Sequence, residues 1–161
     1  MVTLVEDVAI ISAIAGILLA FFTAMQLRHF EKHRNVDISM KLFEWAETDQ
    51  LRKAFKYMDK KYQFTNYAEH KKLEETDFET SDYPVEVMEF FEQVGFLITK
   101  KFVDLDVVAD RLGHYIILNW QKLQPWIEGV RKETNDPSYG EHFENLFNLT
   151  VNYQNKHKPK T

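Results

Sequence analysis

The sequence predicts an all-α protein in which an N-terminal transmembrane helix precedes a single, helical-bundle-like soluble domain. Three observations support this fold class. Residues 8–27 carry no charged side chain, and apolar residues recur with helical spacing through most of the remaining chain. In addition, the sequence has no Asn-Gly or Asp-Gly hairpin turn and no sustained alternation of apolar and polar residues, which are the usual signs of strands.

The uncharged stretch at residues 8–27 is long enough to cross a bilayer as a helix. It reads VAIISAIAGILLAFFTAMQL, and about 20 residues at roughly 1.5 Å each span a hydrocarbon core of about 30 Å. The alternative is a buried helix of a soluble protein, but apolar stretches in such helices rarely exceed about 14 residues. Because Glu6 and Asp7 precede the stretch and bulky side chains end it, a cleaved signal peptide is disfavoured. We therefore predict a permanent transmembrane anchor.

The charges that flank the anchor predict its orientation. Three basic residues follow it within a juxtamembrane segment, residues 28–36, and no basic residue precedes it. They are Arg28, Lys32 and Arg34. Positive flanks stay on the cytoplasmic side, so residues 1–7 are predicted to form a short external N-terminus. The domain, residues 37–155, and a basic tail, residues 156–161, are then predicted to lie in the cytoplasm of a single-pass cell-membrane protein. The absence of cysteine agrees with a reducing compartment.

Small residues recur at every fourth position of the anchor and therefore share one side of the helix. They are Ser12, Gly16, Ala20 and Ala24. Small side chains let a second helix approach closely, which favours self-association of the anchor in the membrane. The alternative is that these residues only reflect the usual composition of membrane helices.

The first half of the domain is predicted to contain two helices and a polar connection. Asp37 is a candidate N-cap for the first helix, and Asp49 precedes the second. The inward face of the first helix is formed by Ile38, Leu42 and Trp45. The second helix has an apolar face with helical spacing, formed by Leu51, Ala54, Phe55, Met58 and Tyr62. Residues 63–84 are polar and acidic, and we predict a long connection there with a short helix at residues 67–75.

The second half is predicted to contain two long helices followed by two shorter ones. The third helix has an apolar face formed by Val87, Phe90, Phe91, Val94 and Ile98. Asp104 is a candidate N-cap for the fourth helix, in which residues 115–120 are apolar on almost every side. Pro125 and Pro137 are each expected to open a further helix, because proline fits the first turn of a helix better than its interior. The last helix has an inward face formed by Tyr139, Phe143, Leu146, Phe147, Thr150 and Tyr153.

Composition limits the classes of function. About 130 residues remain after the anchor, which is enough for one domain with a core. The net charge of −5 argues against a nucleic-acid-binding surface, which needs a basic face. The five glycines are too scattered for a phosphate-binding loop, and the sequence has neither a cysteine nor a Gly-x-Ser-x-Gly elbow. No cofactor is predicted, and enzymatic activity is disfavoured.

Motifs along the chain resemble those of one protein family. They are Glu44-Trp45 with Leu51-Arg52, Phe90-Phe91-Glu92 with Val94-Gly95, then Trp120, Pro125 and Arg131, and finally Phe143-Glu144 with Leu146. This pattern is similar to the proteins grouped as domain of unknown function 4760, and the resemblance covers nearly the whole chain. It implies a short single-pass membrane protein with a helical cytosolic part, and it brings no established activity. Thr48-Asp49 stands where a proline-bearing turn is expected.

One set of residues has the spacing of a metal site. Asp106, Asp110 and His114 recur at every fourth position of the fourth helix, and two carboxylates with one imidazole suit a divalent cation. The same spacing is common on solvated helix faces, and the sequence has no Glu-x-x-His pair of the di-iron kind. The solvated face is therefore the preferred interpretation, and no metal is predicted.

Two further polar residues are candidates for a structural role. Glu92 lies among apolar residues of the third helix, and Arg131 lies near the end of the helix expected to begin at Pro125. We predict a partly buried ion pair between Glu92 and Arg131 that joins two helices. A functional carboxylate at Glu92 is the alternative.

Three classes of function follow. The preferred class is a non-enzymatic interaction or scaffold module that the anchor tethers to the inner face of the membrane, with lipids and a protein as partners. The second is a small enzyme or metal-binding protein with an unrecognised site around Asp106, Asp110 and His114. The third is a homo-oligomeric membrane subunit that associates through the small residues of the anchor. None of the three involves nucleic acid.

Overall fold

The structure, a computed structural model, describes the backbone of residues 2–157. It describes side chains for residue 12, residues 14–30 and residues 34–157 apart from 74, 78 and 79. Six α-helices occupy this range: α1 (Val2–Ala46), α2 (Asp49–Lys60), α3 (Tyr67–Thr76), α4 (Phe78–Thr99), α5 (Leu105–Thr134) and α6 (Glu141–His157). Residues 2–157 contain no strand, which confirms the predicted all-α class.

The chain divides into two compact units, Met1–Asp37 and Ile38–Thr161. The first unit holds the N-terminal part of α1, in which the transmembrane helix is predicted. Among the residues that the structure describes, no helix is both long enough and apolar enough to cross a membrane. The transmembrane part of the prediction is therefore not supported by the structure. Residues 8–11 and 13 of the predicted span lie outside the described side chains.

α1 continues through the juxtamembrane residues 28–36 and past Asp37, so the prediction that Asp37 caps a new helix is wrong. Neither proline nor glycine occurs from residue 17 to residue 83, and nothing in the backbone chemistry therefore interrupts the helix at this point. The helix ends at Ala46 instead, and in the turn that follows the hydroxyl of Thr48 donates a hydrogen bond of 2.8 Å to the carbonyl of Trp45. The extended backbone of Thr48 then begins α2. Thr48 thus makes the turn for which a proline was expected.

The predicted connection at residues 63–84 is largely helical. α3 confirms the short helix predicted at residues 67–75, and α4 begins at Phe78 within the connection. The side chains of Asn66 and Asp77 cap these two helices, because each accepts a hydrogen bond from the backbone N–H three residues further along. Local capping chemistry therefore accounts for both helix starts.

Two prolines lie inside helices, Pro84 in α4 and Pro125 in α5. The prediction that Pro125 opens a separate helix is wrong. A proline in a helix removes one backbone hydrogen bond. Leu123 and Trp126, on either side of Pro125, are nevertheless buried. Their packing anchors both halves of α5 and outweighs the lost bond.

The core of the second unit is built from the apolar faces that the sequence predicts. Most of its buried side chains come from α2, α4, α5 and α6, and they include Leu51, Ala54, Met58, Val87, Phe90, Phe91, Val94, Ile116, Trp120, Leu123, Phe143 and Leu146. Phe143 joins three helices, because its ring stacks on Phe91 at 4.9 Å and meets Trp120 edge-on at 5.1 Å between centroids. α6 is therefore an integral part of the core.

Candidate functional site

The first unit presents a long apolar surface. Every side chain from Ile14 to Phe30 is exposed. The large apolar ones are 51% to 70% exposed and comprise Ile14, Ile17, Leu18, Leu19, Phe21, Phe22, Met25, Leu27 and Phe30. At 100° per residue these positions surround the helix instead of forming one stripe. A helix that is apolar on all sides is stable only when an apolar environment covers it.

The predicted association stripe lies on this surface. Ser12, Gly16, Ala20 and Ala24 are all exposed, and a Cβ added at Gly16 would meet open space within the chain. The side of α1 that carries the small residues is therefore accessible to another helix. Association of two copies stays a prediction.

The second unit contains a groove of about 500 Å³ between the C-terminal part of α1, α2 and α5. Its lining combines aromatic and aliphatic side chains with three cations and one carboxylate. We call this surface the basic aromatic groove, and it consists of Phe43, Ala46, Glu47, Arg52, Phe55, Lys56, Arg111, Leu112 and Tyr115. Three distant segments of the chain therefore contribute to one concave site.

Arg111 is held at the edge of the groove by two contacts. Its guanidinium carbon lies 4.7 Å from the centroid of the Phe43 ring, and its Nη2 lies 3.3 Å from Oε1 of Glu47. Both side chains of the ion pair are more than half exposed, so the pair contributes less than about 1 kcal/mol. The Phe43 ring thus orients Arg111, and another anion can readily replace Glu47 as its ion-pair partner.

Two aromatic rings form the apolar part of the groove. The Phe55 ring is half-buried and packs against Phe90 and Phe91 of the core, with centroids 5.8 Å and 5.7 Å away. On its other side lies Tyr115, 6.1 Å away and 50% exposed. Residues 115–120 are apolar on almost every side, which predicts an enclosed stretch, but Tyr115 is exposed because it lines this groove.

The three candidate metal ligands lie on a solvated face of α5. Asp106, Asp110 and His114 are all exposed. The hydroxyl of Tyr153 on α6 donates a hydrogen bond of 2.8 Å to Asp110, and this bond raises the pKa of Tyr153. Within the part of the chain that the structure describes, no group of three metal-ligating side chains is close enough to hold an ion.

Glu92 and Arg131 both contact the beginning of α6, but they do not form the predicted ion pair with each other. The Glu92 carboxylate accepts hydrogen bonds from the backbone N–H groups of His142 and Phe143 at 3.2 Å and 2.8 Å. Arg131 forms an ion pair of 2.8 Å with Glu144, and its Nε donates to the carbonyl of Tyr139 at 2.8 Å. The Glu92 carboxylate binds the N-terminus of α6 and not Arg131, because the N–H groups of the first helical turn otherwise lack partners and carry partial positive charge.

Most of the chain matches a known protein family. The profile of the family described as Domain of unknown function (DUF4760) matches residues 10–149. The chain belongs to this family. The match confirms the resemblance seen in the sequence, and it includes the exposed surface of α1 and the whole basic aromatic groove of this DUF4760 protein. No curated protein and no solved structure matches the chain.

The DUF4760 domain also buries a histidine that sequence reasoning did not identify. His70 of α3 is fully buried. Its ring lies 4.6 Å from Trp126, 6.1 Å from Tyr62 and 6.4 Å from Phe64 between centroids. Burial among these rings penalises the charged imidazolium and lowers the pKa of His70 to about 4.

The depressed pKa of His70 predicts that acid destabilises the domain. Between pH 6.5 and 4 the unfolded chain binds a proton at His70 and the folded chain does not. The free energy of unfolding is therefore unaffected by this histidine above pH 6.5 and declines as the pH falls toward 4. The difference corresponds to about 3 kcal/mol. We expect the urea midpoint to fall between pH 7 and pH 4.5, and to fall less in His70→Phe.

The exposed histidine of α5 provides the control for this measurement. His114→Phe is expected to keep the full pH dependence of the parent chain, since His114 is exposed. Equal pH dependence in His70→Phe and the parent would show that protonation of His70 does not limit stability in acid.

Sequence reasoning also missed the basic aromatic groove of the DUF4760 domain. Two local signals were present: Arg52 and Lys56 are one turn apart on α2 with Phe55 beside them, and Arg111 and Tyr115 are one turn apart on α5. Such spacing is common on helix surfaces. Only the packing of α2 and α5 shows that these residues share one site.

Proposed function

We propose that this DUF4760 protein is a non-enzymatic interaction module whose helical domain is tethered to the inner face of the cell membrane by residues 8–27. The observation that carries the proposal is the exposed surface of α1 from Ile14 to Leu27, which is apolar on all sides. Lipid covers such a surface without requiring a specific partner. Arg28 and Arg34, which are exposed beyond the apolar stretch, favour the cytoplasmic orientation.

The interaction role rests on what the domain offers to other molecules. A tether raises the local concentration of the domain beside other membrane components, and binding then needs little intrinsic affinity. The familiar nucleotide-binding and nucleophile motifs do not occur in the sequence. Display of a binding surface therefore explains a tethered domain with the fewest assumptions.

The absence of cysteine from the natural chain allows a direct test of the anchor and its orientation. Single cysteines are introduced as Thr3→Cys and Asn155→Cys, and right-side-out membrane vesicles are treated with a membrane-impermeant maleimide. We expect Thr3→Cys to be labelled in sealed vesicles and Asn155→Cys only after permeabilisation, because the bilayer separates the two positions.

Matched pairs of lysine substitutions serve as controls. Leu19→Lys with Phe22→Lys places two charges within the apolar stretch, each costing about 3 kcal/mol in a bilayer, and is expected to release the chain from the vesicles. Val36→Lys with Met40→Lys replaces two equally exposed apolar residues of α1 beyond the stretch, and should keep the labelling pattern. If washing releases the unaltered chain from the vesicles as a monomer, the proposal is contradicted.

A further inference from the structure

We infer that the basic aromatic groove binds an amphipathic anion, a molecule in which a phosphate or carboxylate is joined to an apolar group. This inference goes beyond the proposed tethering role and does not depend on it, because every residue of the groove belongs to the second unit. Three features of the groove support it: its charge, the availability of its cations, and its aromatic floor.

The charge of the groove is opposite to that of the whole chain. Arg52, Lys56 and Arg111 line it against a single carboxylate, Glu47, whereas the chain carries a net charge of −5. Cations grouped on a concave surface with apolar walls concentrate the local potential and attract anions. The groove therefore selects negative ligands despite the acidic protein around it.

Two of the three cations are available to a ligand. Neither Arg52 nor Lys56 forms an ion pair or a side-chain hydrogen bond with another residue of the described chain, and the two lie one turn apart on the same helix. Exposed basic residues are usually just solvated. Here, however, Arg111 adds a third cation across the groove, already oriented over the Phe43 ring. Preorganisation of this kind lowers the entropic cost of binding an anion.

The aromatic floor requires an apolar group on the ligand. Tyr115 is half-exposed beside Phe55, which the core holds rigidly through Phe90 and Phe91. An inorganic anion would leave these rings in water, and an uncharged apolar molecule would leave the cations unused. A volume of about 500 Å³ lies within the range of small-molecule sites, roughly 300 to 1,000 Å³. The ligand class that uses both features is an anion with an attached ring or acyl chain.

The test uses 1-naphthyl phosphate as the probe and the full chain in phosphatidylcholine nanodiscs, with binding followed by titration calorimetry. The charge-reversal pair Arg52→Glu with Lys56→Glu is expected to weaken binding by at least tenfold. The control pair Lys53→Glu with Lys60→Glu makes the same change of net charge at exposed positions of α2 outside the groove. It is expected to weaken binding by less than twofold.

The amphipathic requirement is tested with fragments of the probe. Inorganic phosphate and 1-naphthol are each expected to bind at least tenfold more weakly than 1-naphthyl phosphate, and Tyr115→Ser is expected to reduce this difference for phosphate. Unaltered far-ultraviolet circular dichroism establishes that each variant is folded. Equal losses in the two charge-reversal pairs, or equal affinities for inorganic phosphate and the full probe, would overturn the inference.

The source of the natural ligand is distinguished by the lipid of the disc. If discs that contain phosphatidic acid compete with 1-naphthyl phosphate, the inference is supported and the ligand is a lipid headgroup. If they do not compete while the probe still binds, the inference is supported and the ligand is a soluble metabolite. If the parent chain proves soluble, it is titrated with the probe in buffer without discs. The tethering proposal and the anion-binding inference can therefore fail independently of each other.

Discussion

Glu92→Ala is expected to destabilise the helical domain by about 3 kcal/mol. The Glu92 carboxylate is half-buried and accepts hydrogen bonds from the N–H groups of His142 and Phe143. A hydrogen bond to a charged group contributes about 1.5 to 3 kcal/mol, and its removal leaves a donor without a partner. The variant loses two such bonds together with the favourable interaction between a negative charge and a helix N-terminus. We expect the melting midpoint to fall by roughly 10 °C.

Two further variants identify the cause of this loss. Glu89→Ala removes an exposed carboxylate from the same helix, one turn earlier, and is expected to change the melting midpoint by no more than about 2 °C. Glu92→Gln keeps one acceptor oxygen, and its melting midpoint should lie between those of the two alanine variants. If Glu92→Ala and Glu89→Ala have the same melting midpoint, the start of α6 does not depend on the Glu92 carboxylate.

Gly95→Ala is expected to cost at least about 3 kcal/mol, because the helices α4 and α6 cross there with no room for a side chain. A Cβ at Gly95 would lie 2.1 Å from the carbonyl oxygen of His142 and 2.6 Å from the carbonyl carbon. Both atoms belong to the backbone, so the two helices must separate to relieve the overlap. Overpacking in a core commonly costs about 1 to 3 kcal/mol, and the separation also disturbs the contact of Phe91 with Phe143. The measurement is the urea midpoint of the purified chain.

Gly113→Ala provides the matched control. A Cβ at Gly113 would approach the terminal amide nitrogen of Gln154 to 2.8 Å, but this is the end of a flexible side chain that can rotate away. It would also lie 3.3 Å from Cγ2 of Thr150, a contact that a shift of a few tenths of an ångström relieves. Alanine also gains about 1 kcal/mol over glycine inside a helix. We therefore expect Gly113→Ala to be close to neutral. Equal stability of the two variants would show that α4 and α6 can adjust their spacing freely.

The parts of the fold that follow from burial of apolar surface could be predicted from the sequence. The face with Phe91 and Val94 and the face with Phe143 and Leu146 are buried as their spacing requires. Burial dominates the energy of folding and is nearly independent of direction, so a periodic pattern is sufficient to locate it.

Helix boundaries and polar partners were harder to predict, because several groups compete for the same role. Asp37 has the side chain of an N-cap but lies in the middle of α1, since a cap works only where the preceding helix ends. The ion pair predicted between Glu92 and Arg131 does not form. Their actual partners, however, include backbone groups at the start of α6, which a sequence does not distinguish from any other backbone.

The basic aromatic groove could not be predicted for a different reason. More than fifty residues of chain separate two of its cations, Arg52 and Lys56 on α2, from the third, Arg111 on α5. Each helix alone resembles an ordinary solvated surface. A site of this kind exists only after the helices have packed, and local periodicity contains no information about it.

The position of Phe143 has a consequence for biosynthesis. Its ring fills the space between Phe91 and Trp120, yet it is translated some fifty residues after Phe91. Until α6 has been synthesised, the helices α4 and α5 lack the ring that covers Phe91 and Trp120. The core therefore closes only after α6 has been added, and until then the growing chain exposes aromatic surface of the kind that favours aggregation.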